Sequence, residues 1–243
     1  MNYRTALITE KKKDPFGAAM WAYFKGDLQA TVKVYSDIAV DDNIPAGYLF
    51  RSYSQMPPWE QKAIDLCRGR ILDVGAGAGS HSLELQNRGE DTTAIDISPG
   101  AVEIMEARGL KQIAHASIWE YSDEQFDTIL LMMNGVGLVG NLKGLNAFLE
   151  QAKKMLHQGG QILLDSSDIK YLYDDLEISP PNDIYYGLIE YQMVFGASVS
   201  EKFSWLYLDY PRLIRHCKLQ GLSCEILHEG PHFEYLARIS AEI

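Results

Sequence analysis

Basic residues, cysteines and long apolar runs are all scarce in this sequence. Lysine and arginine number 22 against 33 aspartate and glutamate, so the net charge is 22 − 33 = −11. Because a field of that sign repels polyanions, we expect no nucleic-acid partner. Cys67, Cys217 and Cys224 are odd in number and lack metal-ligand spacing. They favour buried reduced thiols over a disulfide framework, and we expect no bound metal.

The apolar runs are too short for a membrane span. None approaches the roughly 20 residues that cross a bilayer, and the opening letters MNYRTALITEKKKDPFG lack the apolar core of a secretory signal. We therefore predict a cytoplasmic protein without a membrane partner. A 47% hydrophobic fraction over 243 residues is enough for one sizeable α/β domain with a cap.

Short apolar runs alternate with amphipathic helical patterns from Ile71 onward. That alternation is typical of a parallel sheet covered by helices on both faces. Apolar residues at every other position on either side of GASVSE predict an antiparallel hairpin inserted at about 184–210. The predicted strands of the main sheet are 71–74, 92–97, 113–116, 126–133, 161–165, 223–227 and 233–240.

The first 58 residues differ from the rest, since they are richer in aromatic side chains and contain Pro45, Pro57 and Pro58. We interpret them as an N-terminal helical cap or lid that leads into a helix over about 59–67. Residues 59–243 then form the main domain. We expect the two parts to make one compact unit.

A glycine-rich turn stands between the first strand and its helix, where residues 71–85 read ILDVGAGAGSHSLEL. In an open α/β sheet, ligands bind beyond the carboxyl ends of the strands, where the strand order reverses. Glycines let the backbone approach a ligand closely, and the free N–H groups of the next helix favour anionic groups. Both NAD and S-adenosylmethionine sites use this geometry.

The spacing of the glycines separates these two cofactors. The dinucleotide fingerprint is GxGxxG, whereas this chain has GxGxG at Gly75, Gly77 and Gly79, followed by Ser80. Asp96 ends the second strand, and its carboxylate suits the ribose diol of either cofactor. The pattern therefore indicates a nucleoside, with S-adenosylmethionine matched better than NAD.

Five segments in this order resemble the class I S-adenosylmethionine-dependent methyltransferases: LDVGAGAG, TAIDIS, AHASIWE, FDTILLMMN and HQGGQILLD. The resemblance covers residues 71–165. It implies a Rossmann-like, doubly wound α/β fold with a mostly parallel seven-stranded sheet and an antiparallel last strand. It also implies a methyltransferase enzyme of the small-molecule type that uses S-adenosyl-L-methionine.

The resemblance assigns the glycine turn and two acids to the cofactor. Gly75, Ala76 and Gly77 would line its methionine and ribose portion. Asp73 would lie beneath them and hold the loop or the cofactor amine. Asp96 would take the ribose hydroxyls.

The later segments would complete the site. Ile97 and Ile118 would pack on the adenine, but Ser117 stands where many relatives have an acid for the adenine amino group. Met133 and Asn134 would face the methionine end and the substrate. Asn134 either orients an acceptor or caps the loop, and the sequence leaves both readings open.

The charge pattern departs from some small-molecule relatives, which carry an arginine after the glycine loop to bind the cofactor carboxylate. Here Ser80 and His81 follow the loop. Arg51 is the candidate for that cation, and the alternative is a surface arginine paired with an acid. Methyl transfer needs a general base only if the acceptor must lose a proton. His81 is the candidate base, or else a histidine that hydrogen-bonds to the loop or packs on the sheet.

The acceptor is less well defined by the sequence. The NGVGLVG loop resembles neither the NPPY nor the DPPY signature of base-modifying methyltransferases, which together with the negative charge favours a small molecule accepting at O, N or C. Two further functions stay open, a nicotinamide-dependent oxidoreductase and a non-catalytic S-adenosylmethionine-binding protein. The aromatic residues that either wall an apolar substrate pocket or belong to the core are Phe16, Trp21, Tyr23, Phe24, Tyr35, Tyr48, Tyr53, Tyr185 and Tyr191.

Overall fold

A computed structural model describes residues 6–38, 42–121 and 124–241. The strands are β1 Thr31–Ser36, β2 Asp42–Pro45, β3 Arg70–Val74, β4 Asp91–Asp96, β5 Ile113–His115, β6 Phe126–Leu131, β7 Leu156–Ser167, β8 Leu188–Phe195, β9 Ser198–Val199, β10 Phe203–Leu206, β11 Leu222–Glu229 and β12 Glu234–Ala241. The helices are α1 Pro15–Phe24, α2 Pro58–Leu66, α3 Ser80–Asn87, α4 Pro99–Ala107, α5 Leu142–Met155, α6 Lys170–Asp175 and α7 Tyr210–Leu219, with short 3-10 turns at Lys11–Lys13, Ala46–Phe50, Tyr53–Gln55 and Gly135–Val139.

The main sheet has seven strands in the order β11-β12-β7-β6-β3-β4-β5. Strands β7, β6, β3, β4 and β5 are parallel, and the last strand β12 runs antiparallel to both of its neighbours. The predicted fold class is confirmed. From β3 the chain adds strands first on one side and then on the other, so the order reverses beside β3, where a ligand site is expected.

Helices cover both faces of this sheet because neighbouring strand residues point in opposite directions. Leu72 of β3 belongs to a buried cluster with Phe148 and Leu149 of α5, whereas Ile71 packs with Ile64 of α2 and Leu85 of α3. Asp73 lies two positions after Ile71, so its side chain is on the same face of the sheet. It therefore points toward α3.

A second sheet covers the carboxyl ends of the main strands, and we call it the lid sheet. Its order is β10-β8-β1-β2, with β9 paired to β8. The hairpin predicted at 184–210 corresponds to β8, β9 and β10. The N-terminal cap, predicted as helical, contains helix α1 but also the strands β1 and β2, and β1 pairs with β8. Such a pairing joins segments far apart in the sequence, so the local pattern of the cap did not reveal it.

The N-terminal helix is pinned to the main domain by a buried acid. Asp14 accepts hydrogen bonds from the Ser98 hydroxyl at 2.7 Å and from the backbone N–H groups of Gly17 and Gly100 at 2.9 and 3.0 Å. A Cβ on Gly100 would lie 2.5 Å from the Cα of Gly17, so α1 and α4 touch through backbone atoms. This contact sets the N-terminal segment beside the end of β4.

Two further details concern membranes and bounds. Among the residues described, no helix combines the length and the apolar character that crossing a bilayer requires. The predicted strand at 161–165 begins earlier, at Leu156, and the short helix α6 was not predicted.

Candidate active site

A cavity of about 1240 Å³ lies between the carboxyl ends of the main strands and the lid sheet. All twelve site residues predicted from the sequence line it: Arg51, Asp73, Gly75, Ala76, Gly77, His81, Asp96, Ile97, Ser117, Ile118, Met133 and Asn134. The fold thus brings together positions that are spread over five segments of the chain. Their individual roles stay predictions.

The glycine turn between β3 and α3 needs glycine for two different reasons. Gly75 and Gly77 have φ of +73° and +57°, and a Cβ on either would meet no heavy atom within 4 Å. Gly79 also has a positive φ, but its Cβ would lie 2.9 Å from the side chain of Met105. The first two glycines therefore leave open space above the turn for a ligand, whereas the third lets α4 pack closely.

Asp96 holds this turn and keeps acceptor capacity for a ligand. Its two carboxylate oxygens accept the N–H groups of Gly77 and Ser98, both at 2.8 Å. A carboxylate has about four lone-pair sites, so about two remain free. Burial raises the pKa of Asp96 to about 6, although these two hydrogen bonds oppose the shift. The free sites can accept two hydroxyl hydrogens, as a ribose diol requires.

Asp73 lies beneath the turn, as the resemblance implied. Its carboxylate is 2% exposed and accepts a hydrogen bond of 2.6 Å from the hydroxyl of Ser82 in the first turn of α3. Burial raises the pKa of Asp73, while the charge of His81 and the bond from Ser82 lower it. The hydrogen bond ties β3 to α3 and so fixes the loop between them, which is one of the two roles expected.

Arg51 lines the cavity and is also paired with a buried acid. Its Nη2 lies 2.9 and 3.0 Å from the two carboxylate oxygens of Glu60, and its Nε donates to the carbonyl of Tyr48 at 2.9 Å. The guanidinium stacks on the ring of Tyr48 at 3.5 Å. The pairing matches the alternative reading in part, but Arg51 is only 12% exposed, and its Nη1 makes no hydrogen bond with the residues that the structure describes.

His81 joins the same ionic cluster, which we call the Arg51–Glu60–His81 cluster. Its Nε2 lies 2.9 Å from Glu60, and both side chains are buried. Burial alone would lower the pKa of His81, but the hydrogen bond with Glu60 and the charges of Asp73 and Glu60 outweigh it and raise the pKa. Because its Nε2 is already engaged by Glu60, the geometry supports a structural role for His81 over that of a general base.

A strained turn follows β6 at the carboxyl end of the main sheet. Met133 and Asn134 have φ of +61° and +56°. The backbone N–H of Asn134 donates to Asp165 at 2.8 Å, while its side-chain oxygen accepts from Ser166 at 2.6 Å and its amide donates to the carbonyl of Leu206 at 3.4 Å. These bonds tie the loop to β7 and β10. They support the capping role of Asn134 over a role in orienting an acceptor.

The expected adenine end is covered by the N-terminal segment. Ser117 and Ile118 are buried at the end of β5, and Ile97 follows β4. The backbone N–H of Ile8 donates to the carbonyl of Ile97 at 3.0 Å, and Ile8 lines the cavity. This cover was not expected, because the sequence of the segment carries no signal for such a contact.

The aromatic residues do not all fit one of the two readings. Phe16, Tyr48 and Tyr191 line the cavity, and Tyr23 packs on Phe50 with ring centroids 4.8 Å apart. Tyr35 is 39% exposed and fits neither reading. Four further aromatic residues of the cavity wall were not predicted: Tyr171, Phe203, Trp205 and Tyr207.

Three buried acids of the site were missed by the sequence analysis, namely Asp14, Glu60 and Asp165. Asp14 and Glu60 stand at helix N-termini, where an acid is ordinary. Asp165 is the last residue of the matched segment HQGGQILLD and was therefore available as a signal. Groups of three or more metal-binding side chains are absent from the described residues.

The raised pKa of Asp165 predicts that the stability of the protein depends on pH. Burial, followed by the charge of Glu60, raises the pKa of Asp165 from 3.8 to about 7, while the N–H of Asn134 and the charge of His81 oppose this. The folded protein therefore holds this proton more tightly than the unfolded chain does, and the free energy of unfolding falls as pH rises from about 4 to about 7.

In thermal unfolding of the free protein, Asp165→Asn should shrink the difference in Tm between pH 5 and pH 8. Asp175→Asn, at the exposed end of α6, is the matched control and should leave the difference unchanged. An unaltered pH dependence in Asp165→Asn would contradict the assignment.

The sheet order, the glycine turn and the acid at the end of β4 define the class I methyltransferase fold. A family model described as a methyltransferase domain matches residues 71–160. A S-adenosylmethionine-dependent methyltransferase from Bacteroides fragilis, solved in complex with S-adenosyl-L-homocysteine, is 38% identical, with a TM-score of 0.91 over 100% of both chains. The chain therefore belongs to the S-adenosylmethionine-dependent methyltransferase family.

More distant relatives match less than half of the chain. A demethylmenaquinone methyltransferase of Tropheryma whipplei is 28% identical over 48% of this chain and 51% of its own length. A ubiquinone biosynthesis O-methyltransferase of Xanthomonas oryzae pv. oryzae is 27% identical over 42% of this chain and 45% of its own. The chain spans about half the length of these curated relatives.

Proposed function

We propose that this protein is an enzyme that transfers a methyl group from S-adenosylmethionine to a small-molecule acceptor. One observation carries the proposal: the cavity that begins at the glycine turn continues beneath the lid sheet. Its volume of about 1240 Å³ exceeds the roughly 300–1,000 Å³ of a pocket for a single small ligand. A donor and an acceptor therefore have room side by side.

The residues in the half of the cavity that begins at the glycine turn fit the cofactor. The space above Gly75 and Gly77, which a Cβ would enter, suits its close approach to the backbone. Asp96 would take the ribose hydroxyls, and the free Nη1 of Arg51 would take the carboxylate. When bound, S-adenosylmethionine supplies an activated methyl group for in-line displacement by the acceptor.

The chain itself would contribute positioning more than proton transfer. Asp165 and Ser166 hold the Met133–Asn134 turn in its left-handed conformation. The Arg51–Glu60–His81 cluster holds the neighbouring part of the wall, because Glu60 contacts both of its partners. Both parts of the wall are thus held around the expected site of the methyl group, and orientation of this kind can accelerate displacement greatly.

The relatives and the net charge also support the class of molecule that accepts the methyl group. Two relatives, one named for demethylmenaquinone and one for ubiquinone biosynthesis, support a small-molecule acceptor, and the net charge of −11 does not support a nucleic acid. The family match and the GxGxG spacing favour S-adenosylmethionine over a nicotinamide. We propose a cytoplasmic location because Cys67, Cys217 and Cys224 are free thiols.

Calorimetric titration tests the cofactor, and an acceptor screen scored by S-adenosylhomocysteine release tests the enzyme. We expect binding of S-adenosylmethionine and S-adenosylhomocysteine, no binding of NAD or NADH, and turnover with at least one acceptor. Tighter binding of NADH would replace the proposal with an oxidoreductase. Cofactor binding without turnover across the screen would favour the non-catalytic binding protein.

A glycine pair provides a site-specific arm of this titration. Gly77→Ala places a methyl group in the open space above the turn, and we expect S-adenosylmethionine to bind at least about ten-fold more weakly. Gly196→Ala is the matched control, because Gly196 has φ of +56° against +57° for Gly77 and its Cβ also meets nothing within 4 Å. Both variants carry the same backbone strain, so equal affinities would argue against a cofactor over Gly77.

A further inference from the structure

The half of the cavity under the lid sheet has an aromatic wall. Phe203 and Trp205 of β10 meet edge to face with ring centroids 6.1 Å apart and an interplanar angle of 79°. The ring centroid of Tyr191 in β8 lies 6.1 Å from that of Phe203. Tyr171 and Tyr207 also line this half. Connected rings of this kind offer faces and edges to a planar ligand.

The glycine loop after β6 explains how Trp205 is held. A Cβ on Gly137 would lie 2.1 Å from the indole Nε1, so the indole rests directly on the backbone of the NGVGLVG loop. The carbonyl of Leu206, the next residue, accepts from the Asn134 amide, and the N–H of Leu208 donates to Ser166. Trp205 is thereby fixed beside the Met133–Asn134 turn, where the methyl group is expected.

The charges in this half are already compensated. Lys202 pairs with Glu190 at 3.0 Å, and Lys13 pairs with Glu201 at 2.7 Å. These are the lysines on the cavity wall within the part of the chain that the structure describes. An anionic acceptor would therefore find no uncompensated lysine here. The binding of an uncharged ligand does not depend on these lysines, so the two ion pairs do not weaken it.

A pair of tyrosines supplies polar recognition. The hydroxyls of Tyr191 and Tyr207 lie 3.1 Å apart. Burial raises the pKa of both phenols, so they stay neutral. One hydrogen bond uses one of the two O–H groups, and the other can donate to a polar atom of a ligand.

We propose that the acceptor is an uncharged planar aromatic ring with a hydroxyl-type substituent, which packs against Trp205 and hydrogen-bonds to the Tyr191–Tyr207 pair. This inference rests on the proposed function and specifies the acceptor class of the same site.

Three ligands that share one fused two-ring framework test it. In calorimetry on protein saturated with S-adenosylhomocysteine, 2-naphthol should bind at least about ten-fold tighter than its saturated counterpart decahydro-2-naphthol. The anionic 2-naphthoate should bind more weakly than 2-naphthol. Equal affinity of the saturated alcohol, tighter binding of 2-naphthoate, or no binding of 2-naphthol would each overturn the inference.

Two variants locate the effect. Trp205→Leu should weaken 2-naphthol by about ten-fold and Tyr207→Phe by about three- to ten-fold, with the affinity for S-adenosylhomocysteine unchanged in both. Trp59→Leu is the matched control, because Trp59 packs on His228, away from the cavity. Unchanged 2-naphthol affinity in Trp205→Leu would contradict the stacking role.

The binding of S-adenosylhomocysteine distinguishes failure of the proposed function from failure of the aromatic acceptor. If the unmodified protein does not bind it, the proposed function fails. If it binds and turnover occurs with aliphatic or anionic acceptors only, the function stands and the aromatic acceptor is wrong. Because the three-ligand comparison uses the unmodified protein, it decides the question even if Trp205→Leu does not fold.

Discussion

Glu60→Ala should destabilise the fold by about 3–5 kcal/mol, the usual cost of removing one partner from a buried ion pair. The Glu60 side chain is 2% exposed, and its oxygens contact both Arg51 and His81. Without this carboxylate the Arg51 guanidinium would lose its buried counter-ion and His81 its hydrogen-bond partner. Urea denaturation of the free protein would measure the loss as a lower midpoint at an unchanged slope.

The pKa shifts of Glu60 and His81 define the pH range in which Glu60→Ala should have its full effect on stability. Burial would raise the pKa of Glu60, but His81 and Arg51 lower it below 4.5, so its contribution is present above that pH and lost below it. The pKa of His81 is raised above 6.5, so its contribution is present below that pH and fades as pH rises. Glu60→Ala should therefore show its full effect between about pH 4.5 and 6.5.

An exposed pair serves as the control. Glu150 and Lys154 on α5 form an ion pair at 2.9 Å with side chains 65% and 72% exposed. Glu150→Ala should cost no more than about 0.5 kcal/mol. A loss below about 1 kcal/mol for Glu60→Ala would show that the three side chains do not depend on each other.

The parts that were predictable from sequence are those whose signal is local. In the stretch from β3 to α3, an apolar run, alternate glycines and a polar helix start stand within 15 letters, from Ile71 to Leu85. The backbone φ values of Gly75 and Gly77 and the hydrogen bond from Gly77 to Asp96 agree with that reading. Short-range rules for turns and caps suffice there, because neighbouring residues determine the conformation.

The parts that sequence did not reveal depend on contacts between distant segments. Strand β1 pairs with β8, with Val34 opposite Met193, and no local pattern encodes that partner. Glu60 is similar: in PPWEQKAID it reads as an acid at an exposed helix start. Only the folded chain brings Arg51 and His81 to it, which turns an ordinary acid into the centre of a buried cluster.

Asp96→Ala should weaken binding of S-adenosylmethionine by about 2 kcal/mol, or roughly 30-fold in Kd, if the carboxylate holds the ribose diol. The fold should persist, because the side chain lies at the end of β4 and holds two backbone N–H groups of loops. Asp91→Ala at the other end of the same strand is the matched control. Asp91 lies away from the cavity, where it accepts from the Gln112 amide at 2.7 Å, so its removal should leave the affinity unchanged.

The pH dependence of binding separates a direct contact with the ribose from support of the loop. Because the pKa of Asp96 in the free protein is raised to about 6, a ligand that needs the carboxylate should lose affinity as pH falls through that value. Asp96→Asn keeps one side-chain oxygen to accept from the loop but cannot titrate. Its affinity should be lower and independent of pH in this range, whereas a residual loss near pH 6 in Asp96→Asn would assign the titration to another group. Unchanged affinity in Asp96→Ala would remove this residue from the cofactor site altogether.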